Sequence, residues 1–558
     1  MPVMGDPNKR IRWTLLFFVI FFIGVAAKAA FLQTVDAKEI SSRVDMHHVE
    51  EIDTPAHRGA IFDRSGNELA VGVAVKSVVA DPLLIKDPWK IASLLAPLLK
   101  TDPATLANEI TANKNSGFVY LARKIDESAG NQVDQLVKDN HISGIETRPE
   151  EKRVYPQNQL AAQVIGYAGT DNTGLAGMEL KLDSNLKGTP GRQRVVTAAD
   201  GSQIQTISLT EGVPGTDVWL TLDQSIQFET EKVLTDTVKQ WKARGAEAVV
   251  MNPRTGAIYA MASVPTVNAN DFNQLSDEQR RNRPVVDTYE PGSVFKIVTA
   301  AGSLEDGVVR PGQVFHLPPT LELGGYTIED AVSRGPVDWD LGKILVHSSN
   351  IGTDTIGMML GKDRLAGWIN RFGFLSRTGI DFPGEATGYM PPPDQWTGST
   401  IGNIPIGQGI TVTPLQLAAA YAAVANGGVT VSPHLVERIG NRKTPVQPGH
   451  RIISQATADQ MTAYFTQVVN NPAGAPEAQI EGYQVAGKTG TAQKIVDGKY
   501  SNSDYIGTFA GYAPADNPQL LIVVKVDDPH PFGGGSTVAA PAFQKIMQFS
   551  LDKMRITP

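Results

Sequence analysis

The sequence contains no cysteine. Disulfides and cysteine-ligated metals are therefore excluded, and the composition suits an exported chain that avoids stray oxidation without requiring export. The nine histidines show no His-Glu-x-x-His or similar spacing, so no metal site is expected. There is no long basic run, few aromatics stand beside lysines, and the net charge is −8, so nucleic acid is a poor partner. No fixed-period repeat is visible. What is present describes a globular protein: 558 residues, 41% hydrophobic and 19% charged. That length accommodates roughly two to four domains, each with its own core.

Lys9, Arg10 and Arg12 precede the apolar run Trp13–Ala27. Lys28 interrupts it, and Ala29-Ala30-Phe31-Leu32 continues. The uncharged core is short for a span, and its alanine-rich end also suits a cleavable signal peptide. Lys28 could snorkel and let the span reach Leu32, so an uncleaved anchor over 13–32 is favoured. The preceding basic residues put a cytoplasmic tail at 1–12 and the remaining chain outside. Residues 33–53 read as an extended or helical stalk. Ile61-Phe62 and Leu69-Ala70 flank a turn containing Ser65-Gly66-Asn67, as in a hairpin. The charges Arg58, Asp63 and Arg64 are either a solvated turn or a buried ion network, with the network slightly favoured.

Apolar residues at helical spacing follow between Pro88 and His141, with a helix start at Pro103 after Thr101-Asp102. The stretch 153–191 is rich in glycine and polar turns. Val195–Thr197 and Ile204–Ile207 read as a strand hairpin. A boundary near Gly212–Gly215 divides a module over 33–215 from one over 216–558. The second opens with a strand to Asp223, a helix to about Trp241, and a buried hairpin of Ala246–Met251 with Ala257–Ala262. Thr413–Gly427 reads as a helix with proline near its start and glycine past its end. Strands return at Gly507–Tyr512 and Gln519–Val526, and a last helix begins near Ala540. Strands at both ends with helices between indicate one α+β, three-layer domain.

Within that domain, Pro291-Gly292 reads as a turn before a helix. Ser293 and Lys296 are three apart and so share a face. A serine hydroxyl needs a base to become nucleophilic. A lysine desolvated by Val294, Phe295 and Ile297 could have its pKa lowered enough to serve, and the helix N-terminus favours anionic charge near the serine. Ser-x-x-Lys alone is weak. It recurs at Ser184/Lys187, read as a polar turn before Gly188, and at Ser550/Lys553, read as an exposed face of the last helix.

Two further motifs follow downstream, Ser348-Ser349-Asn350 and Lys488-Thr489-Gly490-Thr491. Each alone has an ordinary reading, a turn and a solvated strand edge. In this order the three match the signature of penicillin-recognising serine acyltransferases. The chain resembles a class B penicillin-binding protein, over nearly its whole length. Arg58–Gly66, Arg153-Val154-Tyr155-Pro156 and Gly174–Glu179 resemble motifs of that family's non-catalytic, dimerisation-like pedestal. Ser348–Gly352 and Phe509–Pro514 resemble the septal, cell-division (FtsI) type more than the elongation type.

The resemblance implies an α+β architecture of transmembrane helix, elongated mixed pedestal and C-terminal transpeptidase domain with an antiparallel sheet between helical layers. It implies that Ser293 attacks the D-Ala-D-Ala carbonyl of a peptidoglycan stem peptide and releases D-Ala, and that an amine of a neighbouring stem resolves the ester. Lys296 would be the acylation base, Ser348 a proton relay, and Asn350 the holder of Lys296 and substrate amide. Lys488 and Thr489 would bind the terminal carboxylate, Gly490 would let the substrate backbone approach, and the N–H groups of Ser293 and Thr491 would form the oxyanion hole. It implies no cofactor or metal, acylation by β-lactams, a plasma-membrane location with an extracytoplasmic catalytic domain, and a lipid II polymerase of the shape, elongation, division and sporulation (SEDS) class among division partners. The alternatives are an elongation-type enzyme, a D,D-carboxypeptidase or β-lactamase using water, and a β-lactam sensor or scaffold.

Overall fold

A computed structural model describes residues 7–31, 49–197, 203–496 and 498–558. Most of the expected stalk, 32–48, lies outside the described residues, as do the first six residues. Pro7–Phe31 is one helix. Its segment Ile11–Ala30 is long and apolar enough to cross a membrane, and none of it is buried. Twenty helical residues span about 30 Å, the thickness of a bilayer's hydrocarbon core. The helix thus has the form of a single-pass anchor near the N-terminus.

The chain forms two compact units, each assembled from separate segments. One comprises Met1–His57, Val73–Lys152 and Thr189–Pro214; the other comprises Arg58–Gly72, Arg153–Gly188 and Gly215–Pro558. The first contains an antiparallel sheet in the order Val49–Thr54, Gly191–Thr197, Gln203–Thr210. It also holds a small core in which Val78, Leu95, Leu106, Ile110, Leu121, Val133 and Ile145 meet. Its helices begin as the sequence predicts: Asp102 caps Pro103–Ala112 by accepting from Thr105 N at 3.3 Å, a Pro-at-N1 start.

The second unit resumes at Gly215, and Arg58–Gly72 and Arg153–Gly188 pack with that C-terminal part rather than with the rest of 33–215. The reason is a buried ion network inside the second unit. Glu179, fully buried, accepts from Arg58 Nε at 2.8 Å and from Arg153 Nε at 2.6 Å. Arg58 also reaches Asp183 at 2.7 Å, and Arg153 Nη1 donates to Gly59 O at 2.8 Å. The strand Ile61–Phe62 pairs in parallel with Val218–Trp219. Of the three charges weighed near Gly66, only Arg58 joins the network. Asp63 is buried but caps the turn, accepting from Ser65 N, Asn67 N and Gln224 N; Arg64 lies exposed over the Tyr259 ring. Glu179→Gln removes the charge that two buried guanidiniums face, and should lower unfolding free energy by about 3–5 kcal/mol in chemical denaturation. A loss under 1 kcal/mol would show the network to be incidental.

The second unit is built on one antiparallel sheet. In chain order its main elements are α1 (Gln224–Trp241), β1 (Gly245–Met251), β2 (Ile258–Val264), α2 (Lys296–Glu305), α3 (Leu341–Val346) and α4 (Asn350–Leu360). They continue with α5 (Pro414–Ala425), α6 (Gln455–Asn470), β3 (Ala486–Val496), β4 (Lys499–Ala513), β5 (Leu520–Asp527) and α7 (Ala540–Met554). The sheet order is β2-β1-β5-β4-β3, so β5, last in the chain, lies near the middle and β3 forms an edge. β1 and β2 are buried at every residue, without the alternation of a one-sided sheet. α1 and α7 pack together and on the sheet; α5 packs on β1 and β5, and α6 on β3. These helices provide the two covering layers. Ser550, expected on an exposed helix face, is fully buried. Its hydroxyl donates to Ile546 O at 2.7 Å, and such back-bonding makes a buried serine tolerable.

Candidate active site

The Pro291-Gly292 turn leads into a single 3₁₀ turn, Gly292–Phe295, that runs on as α2. Gly292 has φ +59°, a left-handed conformation that glycine adopts without cost. Gly292 N donates to Gly407 O at 3.0 Å, and Tyr421 Oη donates to Val294 O at 2.9 Å. These contacts fix the turn from α5 and from the segment before it. Ser293 is half-buried on this turn, while Val294, Phe295, Lys296 and Ile297 are fully buried.

Ser348-Ser349-Asn350 joins α3 to α4. Ser348 has φ +52°, which costs a non-glycine residue on the order of 1–2 kcal/mol. Its carbonyl accepts from Lys296 Nζ at 2.6 Å, and Asn350 Oδ1 accepts from the same amine at 3.0 Å. Asp330 sits at the N-terminus of α4 and stabilises this corner. It accepts from Ser349 Oγ at 2.9 Å, Asn350 N at 2.6 Å and Ile351 N at 3.1 Å, and pairs with Arg334 at 2.7 Å.

On the other side stands β3. Lys488, fully buried, donates from Nζ to Ser348 Oγ at 2.9 Å, to Thr489 O at 3.1 Å and to Thr489 Oγ1 at 3.3 Å. Gly490 faces the turn that carries Ser293: a Cβ there would meet Pro291 O at 2.8 Å and Val294 at 3.1 Å. Its missing side chain thus serves packing of strand against turn. Thr491 is exposed, and its hydroxyl accepts from Gly535 N at 3.1 Å. Ser293, Lys296, Ser348, Asn350 and Lys488 through Thr491 are therefore brought to one place from three distant segments.

The electrostatics follow from burial. Desolvation lowers the Lys296 pKa to about 7, partly opposed by Asp354 and Asp330. Lys488 is held well below its ordinary value, by burial first and by the nearby Lys296 second. Two buried amines this close resist being cationic together. Asp330, Asp354, Tyr421 and Gly407 were not singled out in the sequence. No local pattern marks them, because their partners lie far away along the chain.

The segment 246–548 matches the profile of the penicillin binding protein transpeptidase domain, and 53–220 that of the penicillin-binding protein dimerisation domain. Penicillin-binding protein PbpB of Mycolicibacterium smegmatis is 34% identical, over 90% of this chain and 84% of that one. Peptidoglycan D,D-transpeptidase FtsI of Escherichia coli is 32% identical, over 98% of this chain and 91% of its own. The crystal structure of penicillin binding protein 3 from Mycobacterium tuberculosis, complexed with aztreonam, superposes with a TM-score of 0.71 at 30% identity, covering 91% of this chain and 98% of that one. A transpeptidase profile over more than half the chain, preceded by a dimerisation profile and joined to relatives matched nearly end to end, settles the family: the chain belongs to the class B penicillin-binding proteins.

Proposed function

We propose that this protein is a peptidoglycan D,D-transpeptidase, acting in septal wall synthesis, whose nucleophile is Ser293. The observation that carries the reading is the pair of hydrogen bonds from Lys296 to Ser348 O and Asn350 Oδ1. They hold a desolvated amine one turn from the serine. In its neutral form Lys296 takes the Ser293 proton as Oγ attacks the penultimate D-Ala carbonyl. The C–N bond to the terminal D-Ala then breaks, and the departing amine receives a proton through Ser348. Lys488 and Thr489 hold the terminal carboxylate. Burial, and after it the nearby Lys296, disfavours the Lys488 cation, and an arriving carboxylate restores it. The oxyanion hole is formed by the N–H groups of Ser293 and Thr491, each such donor being worth about 3 kcal/mol in the transition state. The second substrate's amine attacks the ester, gives its proton to Lys296 and frees Ser293. A β-lactam opens its ring amide by the same attack.

The basic residues before the span support a cytoplasmic N-terminus and a catalytic unit outside. A membrane-embedded lipid II polymerase of the SEDS class is the expected neighbour, with other division proteins. The proposed division is 33–215 and 216–558, with Arg58–Gly72 and Arg153–Gly188 packed into the second. A fragment beginning at 216 lacks Arg58, Arg153 and Glu179, so it should label poorly with penicillin unless those segments are supplied.

The test uses lipid-linked glycan strands and measures D-Ala release together with cross-linked product. Both should appear, and both should vanish with penicillin. D-Ala without cross-links would indicate a carboxypeptidase; labelling with neither product would indicate a sensor or scaffold. Acylation should also depend on pH. With the Lys296 pKa lowered to about 7, the amine is neutral above that range and protonated below it. The acylation rate of a chromogenic β-lactam should therefore rise with pH through neutrality, and a flat profile from pH 5 to 9 would exclude Lys296 as the base.

A further inference from the structure

The mechanism above leaves one acidic side chain in the site unused. Asp354 lies on α4 one turn beyond Asn350, so the two project from the same helix face. It is fully buried, and neither carboxyl oxygen has a hydrogen-bond partner among the described residues. An uncompensated carboxylate in such a place is costly. α4 packs on α2, and Asn350, on the shared face, receives Lys296 Nζ at 3.0 Å.

The charged groups acting on Asp354 are Lys296 from α2 and Asp330, itself paired with Arg334 at 2.7 Å. Lys296 acts in turn on Lys488 of β3. Other charged or titratable residues on elements packed against α4 are the half-buried Glu305 and the exposed His316, Tyr326, Glu329, Lys343, Lys362, Asp363, Arg364 and Arg371. Asp354 is thus the buried anion available to the buried amine.

We propose that Asp354 is a positioning residue for Lys296, acting on it through its charge across the packing of α4 on α2, so that Asp354 sets the pH range over which Lys296 accepts the proton of Ser293. This rests on the assignment of Ser293 and Lys296 made above. The pair holds one proton before attack and two after it, and passing the second to the leaving amine restores the starting state. Burial pushes the Asp354 carboxyl up to about 8, against the pull of Lys296, and Lys296 itself lies near 7. Two groups so close in affinity titrate together, over a wider range than either would alone.

The test is the pH profile of acylation by a chromogenic cephalosporin, with the full-length chain in detergent. Wild type should show a broad rise. Asp354→Asn keeps the shape and removes the charge that raises the Lys296 pKa. Its profile should sharpen to a single-proton titration with a midpoint displaced to lower pH by about one unit. Asp354→Ser, differing in volume and hydrogen bonding, guards against a folding artefact and should show the same displacement. Both variants superimposing on wild type, in midpoint and steepness, would overturn the proposal while leaving Lys296 as the base. Lys296→Ala acylating at the wild-type rate would instead overturn the assignment on which the proposal rests.

Discussion

Ser293→Ala should abolish covalent labelling by fluorescent penicillin while leaving the protein folded. The hydroxyl stands half-buried on a 3₁₀ turn. That turn is held by backbone contacts from Gly407 and by the Tyr421 hydroxyl, none of which involves the Ser293 side chain. Deleting one partly exposed oxygen should therefore change stability by no more than about 0.5 kcal/mol. Chemically the loss is total, since no ester can form without the oxygen. In serine acyl-transfer enzymes removing the nucleophile costs on the order of 10⁶-fold in turnover. The measurement is intact-mass detection of the penicilloyl adduct, beside a thermal melt. An adduct of wild-type yield on the alanine variant would place the nucleophile elsewhere.

The second large effect is expected of Lys296→Ala. General-base assistance contributes roughly 10²–10⁴-fold, and acylation should fall by that amount at neutral pH. Here a structural cost accompanies the chemical one. Ser348 O and Asn350 Oδ1 lose their donor, and Asp354 loses the cation that offsets its burial. The left-handed Ser348 corner is then less well held. Lys296→Arg separates the two causes, keeping N–H donors for the corner on a group that stays protonated. If both variants acylate slowly, the missing base is responsible. If arginine restores the rate, the lysine's role is to support the corner.

Much of this was legible in the chain because its signals are local. The capping aspartates, the proline and glycine punctuation, and the continuous apolar runs predicted α1, β1, β2 and α5 to within a few residues. The three short motifs drew attention to Ser293, Lys296, Ser348, Asn350 and Lys488 before any fold was known. What escaped was relational. Asp330 and Asp354 are ordinary acids until α4 brings them to Lys296. Gly490 reads as room for a substrate, whereas its hydrogen faces Pro291 O. Arg58 reads as a member of a buried ion network, but its partner Glu179 lies too far along the chain to be named from it. Each error or omission comes from a contact between residues that no window on the sequence contains together.

The place of β5 has a consequence for biogenesis. It pairs with β1 on one side and β4 on the other, so the two halves of the sheet are joined by a strand made near the end of synthesis. Non-local pairing of this kind is slow, because chain entropy must be given up before the contacts form. The wall-building centre therefore assembles only after nearly the whole polypeptide has been made. A stop codon just before Leu520 would erase the domain rather than shorten it, and until that strand arrives the growing chain depends on whatever shields its apolar surface.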